Sequence, residues 1–90
     1  MSRLALYSRE GCGLCEEMLE ELIPWARARG LAVEVLDVDA DPDARRRYGY
    51  RVPVLVLDGE PVQHGRLEID ALERLLGTAD GRGEEGGRLL

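Results

Sequence analysis

The sequence predicts an α/β fold: a four-stranded mixed sheet, built in the order βαβαββα, with helices on both of its faces. Three observations predict it. A short apolar run, a helical amphipathic stretch and a β-branched run follow one another within about thirty-five residues, which is the span of a right-handed βαβ unit with parallel strands. Two further strand-like runs are separated by Asp58-Gly59, the dipeptide of a tight hairpin. A final stretch with apolar residues at three- and four-residue steps closes the domain as a helix.

The elements follow in order. Leu4-Ala5-Leu6-Tyr7 is apolar and only four residues long before Ser8, Arg9 and Glu10, which suits a strand buried on both faces better than a helix. From Gly13 to Arg29 the apolar positions Cys15, Met18, Leu19, Leu22, Ile23 and Ala26 recur at helical spacing, with Glu16, Glu17, Glu20 and Glu21 on much of the opposite face. Acidic residues in the first turn and Arg27 and Arg29 in the last complement the helix dipole, Gly30 fits the C-terminal cap, and Pro24 predicts a kink. Ala32 to Val38 is a second strand, parallel to the first. Asp39 to Asp43 supplies caps and a turn for a short helix at Asp43–Tyr48, closed by Gly49. Val54-Leu55-Val56-Leu57 and Glu60-Pro61-Val62-Gln63 form the hairpin, antiparallel to the first two strands. The last helix spans Glu68–Leu76, with Ile69, Leu72, Leu75 and Leu76 as its apolar stripe and Gly77 as its stop.

Length and charge narrow the function. Ninety residues with 44% hydrophobic content support one domain and one modest core. That domain is expected over residues 1–77, and the Gly-rich, charged residues 78–90 are expected to be a disordered tail. Twelve basic against eighteen acidic residues leave a formal charge of −6, which repels nucleic acid and anionic lipid. No segment approaches the length of a membrane span, and the N-terminal apolar run is too short for a signal peptide. A cytoplasmic monomer is expected, and in that compartment a permanent structural disulfide is improbable.

Both cysteines lie in one stretch, REGCGLCEEM, three residues apart. Cys12 falls at or just before the start of the first helix and Cys15 lies one turn inside. A sulfur at Cys12 faces unpaired backbone N–H groups and the positive end of the helix dipole, both of which favour the thiolate, the reactive form. Cys15 begins the apolar stripe and is the less exposed of the two. This asymmetry suits thiol–disulfide exchange, with Cys12 attacking a substrate disulfide and Cys15 resolving the mixed disulfide. Gly11 and Gly13 flank the nucleophile with nothing bulky, leaving room for a partner's backbone.

These residues resemble a known family. The LALYS strand, the REGCGLC stretch opening a helix, the Val52-Pro53 step ahead of the VLVL strand and Gly65 before the last helix together look like a glutaredoxin-like protein of the thioredoxin fold. The likeness spans Leu4 to about Leu76. It implies a cis peptide bond at Pro53 beside the active-site disulfide, with Val52 offering its backbone groups to an extended substrate such as glutathione. Arg9 stands where glutaredoxins often carry a basic residue, which would hold a thiolate or a glutathione carboxylate. Gly13 and Leu14 stand between the cysteines where glutaredoxins commonly have Pro-Tyr. Glu16 and Glu17 follow the second cysteine where they tend to have basic residues, and Gly65 is followed by Arg66 where the family has a second glycine. The resemblance implies dithiol exchange with protein or glutathione disulfides, no bound cofactor, and glutathione as a co-substrate.

Other readings weigh against this one. A C-x-x-C pair is also half of a zinc or iron–sulfur site, yet the one histidine, His64, lies some fifty residues away, so a closed site needs carboxylates or a second chain. Two inert core thiols, or a thioredoxin-fold module that only binds a partner, complete the alternatives. Arg45-Arg46-Arg47 reads as a solvated face beside Asp39, Asp41 and Asp43. Tyr48 and Tyr50 read as packing residues with wet hydroxyls, and Trp25 as packing on the core surface.

Overall fold

The computed structural model describes residues 3–79. Strands β1 (Leu4–Ser8), β2 (Val33–Asp37), β3 (Val54–Leu57) and β4 (Glu60–His64) alternate with helices α1 (Gly13–Ala28), α2 (Pro42–Tyr48) and α3 (Ile69–Ala79), and one 3₁₀ turn, Val38–Ala40, precedes α2. The sheet order is β2-β1-β3-β4. β1 pairs parallel to β2 and antiparallel to β3, and β3 pairs antiparallel to β4. This is the mixed sheet expected from the sequence.

Alternation along β1 sorts its side chains between the two faces. Leu4 and Leu6 join Leu55 and Leu57 of β3 in one cluster with Met18, Leu22 and Ala26 of α1 and Leu72 and Leu76 of α3. Leu6, Leu22, Leu55 and Leu72 are completely buried, each contributing about 1.5–3 kcal/mol by leaving water. Tyr7 points to the other face, where its ring meets that of Tyr48 at the end of α2, with centroids 5.1 Å apart. Helices α1 and α3 therefore cover one face and α2 part of the other.

Caps define the helix ends. Gly30, at φ +70°, ends α1: its N–H donates to the Arg27 carbonyl at 3.1 Å and the Leu31 N–H to the Ala26 carbonyl at 2.9 Å, which satisfies two carbonyls of the last turn. α1 continues through Pro24, where the missing N–H deprives only the carbonyl of Glu20, an exposed residue that water reaches. The Asp41 side chain accepts the Asp43 N–H at 3.2 Å and starts α2, with Pro42 in its first turn. Asp58 and Gly59, with φ of 51° and 89°, make the left-handed hairpin turn.

Four details differ from expectation. β2 stops at Asp37 because the Asp37 carboxylate accepts the Asp39 N–H at 2.9 Å and turns the chain, burying Val38. α3 starts one residue later, where Gln63 brackets Glu68 by accepting its N–H and donating to its carbonyl, both at 2.9 Å. It then runs past Gly77 to Ala79, since a glycine inside a helix costs about 1 kcal/mol relative to alanine and does not by itself stop one. Leu75, expected in the apolar stripe, is exposed. Of the expected tail, residues 80–90 lie outside the described residues.

Candidate active site

Cys12 is the N-cap of α1. Its backbone is extended (φ −95°, ψ 110°), its carbonyl accepts the first helical bond from Glu16 at 3.2 Å, and its Sγ accepts the backbone N–H of Cys15 at 3.2 Å. Sulfur has taken the place usually held by a serine or aspartate oxygen. An N–H of the first helical turn is thereby aimed at the more accessible of the two sulfurs. Cys12 is half-buried, while Cys15 retains only 2% of its surface; both are free thiols. Burial first, then the hydrogen bond between the two thiols, pushes the Cys15 thiol up from 9.0 to about 11. The two sulfurs thus differ in access, the one half-buried and the other buried.

The surrounding residues meet at one end of the sheet. β1 leaves the sheet there towards Cys12. Because Tyr7 pairs antiparallel with Val54, residue 53 enters at that same end. The Val52-Pro53 bond is cis, as the resemblance implies, and Pro53 is buried. The Pro53 carbonyl accepts the Gly65 N–H at 2.9 Å, which brings Gly65, at φ +80°, to the same rim. Among the described residues the backbone of Val52 forms no hydrogen bond. Gly11, at φ +79°, and Gly13 are exposed, with open space where a Cβ would stand. Leu14 is 54% exposed and lines, with Glu17, Met18, Glu21, Gly65, Arg66 and Leu67, a groove of about 330 Å³. Glu16 and Glu17 both face solvent and take no ion-pair partner among the described residues.

Arg9 is engaged within the protein. Its Nε and Nη2 donate to Oδ2 and Oδ1 of Asp39 at 2.8 and 2.9 Å, and Nη1 donates to the Gly49 carbonyl at 2.9 Å. The Asp39 carboxylate raises the pKa of the guanidinium, and the guanidinium lowers that of the carboxylate. The Arg9 carbonyl also accepts the Cys12 N–H at 3.2 Å. Arg9 therefore straps the cysteine loop to the turn before α2 and to the segment leading to Pro53. Sequence reading singles out Arg9 and misses both partners, which lie 30 and 40 residues away. His64 ends β4, exposed, and among the described residues no three His, Cys, Asp or Glu side chains gather in metal-binding geometry.

A sheet of order β2-β1-β3-β4 with a C-x-x-C pair at the start of α1 and a cis proline opening β3 is the arrangement of the thioredoxin fold. Within that fold the chain belongs to the glutaredoxin-like family: residues 3–77 match the model described as "Glutaredoxin-like domain (DUF836)". An uncharacterized protein of Mycobacterium tuberculosis is 34% identical over 77 residues, covering 78% of this chain and 77% of its own. A Nitrosomonas europaea protein solved by solution NMR shares 33% identity with a TM-score of 0.74, over 82% of this chain and 89% of that one. A variant thioredoxin from Halobacterium salinarum shares 34% identity with a TM-score of 0.63, over 86% of this chain and 73% of that one. The fold and family are those of redox-type proteins.

Proposed function

We infer that the chain is a thiol–disulfide oxidoreductase with Cys12 as nucleophile and Cys15 as resolving thiol. The observation that carries this reading is the asymmetry of the pair: an accessible sulfur with an N–H aimed at it, and a buried thiol held protonated one turn further on. The Cys12 thiolate attacks one sulfur of a substrate disulfide, forming a mixed disulfide and releasing the other sulfur as a thiolate. Cys15 then attacks Cys12 Sγ, its proton passing to the departing substrate sulfur. The chain ends as the Cys12–Cys15 disulfide, the substrate as two thiols, and two electrons have passed to the substrate.

The surroundings support this chemistry. An unpaired backbone at Val52, ahead of buried Pro53, offers an extended substrate a donor and an acceptor. Gly11, Gly13 and Gly65 keep the approach open, and exposed Leu14 gives apolar contact. Arg9 acts here by holding the cysteine loop in place. The substrates are protein or glutathione disulfides, and glutathione or a dithiol protein in a reducing compartment such as the cytoplasm returns the electrons. The chain works as a monomer without a bound cofactor. No helix among the described residues is long and apolar enough to cross a membrane.

Intact mass after equilibration in a series of glutathione redox buffers tests the reading. A loss of about two hydrogens, with a midpoint within roughly −180 to −270 mV, is the expected result. Two free thiols at every poise, or a metal retained in the native spectrum, would overturn it in favour of a binding module.

A further inference from the structure

Arg45-Arg46-Arg47 is one basic run in the sequence, but the fold divides it. Arg46 and Arg47 both turn to Asp43, at 2.7 and 3.4 Å. Arg45 takes no ion-pair partner among the described residues, and it lines a depression of about 570 Å³ with Arg9, Pro42, Arg46, Gly49 and Tyr50. No carboxylate lines this depression. Tyr50 is fully exposed, and Arg51 beside it is exposed and likewise without an ion-pair partner among the described residues. The nearby carboxylates are otherwise occupied: Asp37 and Asp41 cap backbone N–H groups, Asp39 holds Arg9, and Asp43 holds Arg46 and Arg47.

The patch adjoins the reactive rim. Tyr50 and Arg51 immediately precede Val52, and the Arg9–Gly49 hydrogen bond ties the edge of the depression to the cysteine loop. An exposed tyrosine that shares a depression with arginines, and is followed by another in sequence, has the composition of an interface hot spot, where the ring supplies area at low entropic cost and arginine supplies directed donors. In a chain of net charge −6, the two arginines here without an ion-pair partner among the described residues, Arg45 and Arg51, favour an oppositely charged partner.

We propose that Arg45, Tyr50 and Arg51 form a docking surface for an acidic polypeptide segment that flanks the target disulfide of a partner protein. This deepens the oxidoreductase reading and rests on it for the chemistry at Cys12. Arg51 and Tyr50 stand in the turn one and two residues ahead of Val52, closed by the Arg51 N–H on the Tyr48 carbonyl at 2.8 Å, so the acidic residues are placed two to three positions from the partner's cysteine.

The test uses three synthetic peptide disulfides of equal length, with Glu, Lys or Ser at those positions, reduced by the pre-reduced full chain in single turnover. The acidic peptide is expected to react about five- to tenfold faster than the Ser peptide and the basic one slower. The ratio should fall towards one in 1 M salt, where the Debye length is about 3 Å, and in the Arg45→Glu/Arg51→Glu double variant. Equal rates for the three peptides, or a preference for the basic one, would overturn the proposal while leaving the oxidoreductase reading intact. Failure to reduce any peptide would overturn the oxidoreductase reading instead. The docking surface is then tested by amide chemical shifts of the Cys12→Ser/Cys15→Ser chain titrated with the S-methylated acidic peptide. Shifts centred on residues 45–52 support the surface, and shifts elsewhere or none refute it.

Discussion

The backbone N–H of Cys15 points at Cys12 Sγ across 3.2 Å, so the donor to the reactive sulfur belongs to the same residue as the resolving thiol but not to its side chain. A Cys15→Ser variant keeps that donor. It is expected to retain the first attack and to accumulate as a mixed disulfide with glutathione, seen as one added glutathione in the intact mass. Cys12→Ser is expected to form no adduct and to abolish exchange. Loss of the first attack in Cys15→Ser would reverse the two roles.

Burial holds the Cys15 thiol protonated up to about pH 11, against 9.0 for an ordinary thiol. In a Cys12→Ser chain, alkylation of Cys15 should be slow at pH 7 and rise about tenfold per pH unit towards pH 10, following the thiolate fraction. The linkage has a definite sign. The native state binds this proton more tightly than the unfolded chain, so its contribution to stability is complete below about pH 9 and is lost as pH rises through about 11. Urea denaturation of the native chain and of Cys15→Ala should therefore converge as pH rises from 8 to 10.5. A constant difference would show that the thiol proton does not contribute.

Local patterns made most of this legible in the sequence. Helical spacing from Cys15 to Ala26, the Asp58-Gly59 turn and the C-x-x-C pair each act over a few residues, and the structure realises all three. The cis bond before Pro53 came from resemblance alone, because nothing local in the sequence dictates it. What stayed hidden depends on distance along the chain. That Arg9 faces Asp39 and Gly49, and that Arg45 shares a depression with Arg9 and Tyr50 while Arg46 and Arg47 pair with Asp43, follows from how α2 packs against the cysteine loop. No spacing rule encodes that packing. The one-residue shift of α3 has a similar origin, since the Gln63 side chain reaches from β4 to occupy Glu68.

The Arg9–Asp39 pair predicts an acid sensitivity. The guanidinium lowers the pKa of the Asp39 carboxyl, so the contribution is present above the unfolded carboxylate value of about 3.9 and is lost as pH falls through the lower folded value. Asp39→Asn removes that pH dependence. Urea midpoints compared at pH 6 and pH 3 should fall less in the variant than in the native chain. An equal fall in both would show that the pair does not link to folding.

Gly49 is required for close approach rather than for an unusual backbone, since its φ of −57° is open to any residue. A Cβ there would stand 2.5 Å from the Arg45 carbonyl oxygen, the same oxygen that accepts the Gly49 N–H at 2.9 Å. Backbone cannot move aside as a side chain does, so Gly49→Ala must displace either the last turn of α2 or the segment that accepts Arg9 and leads to Val52. Overpacking of this kind costs about 1–3 kcal/mol. It should also slow disulfide reduction, because the strap between the cysteine loop and residue 49 shifts with it. Gly59→Ala serves as the comparison: its φ of +89° makes alanine strained, costing about 1–2 kcal/mol, but it lies in the hairpin turn at the opposite end of the sheet. Urea denaturation and single-turnover rates on both variants should show stability lost in each and rate lost only in Gly49→Ala. Equal rates in the two would separate the position of residue 49 from the reactivity of Cys12.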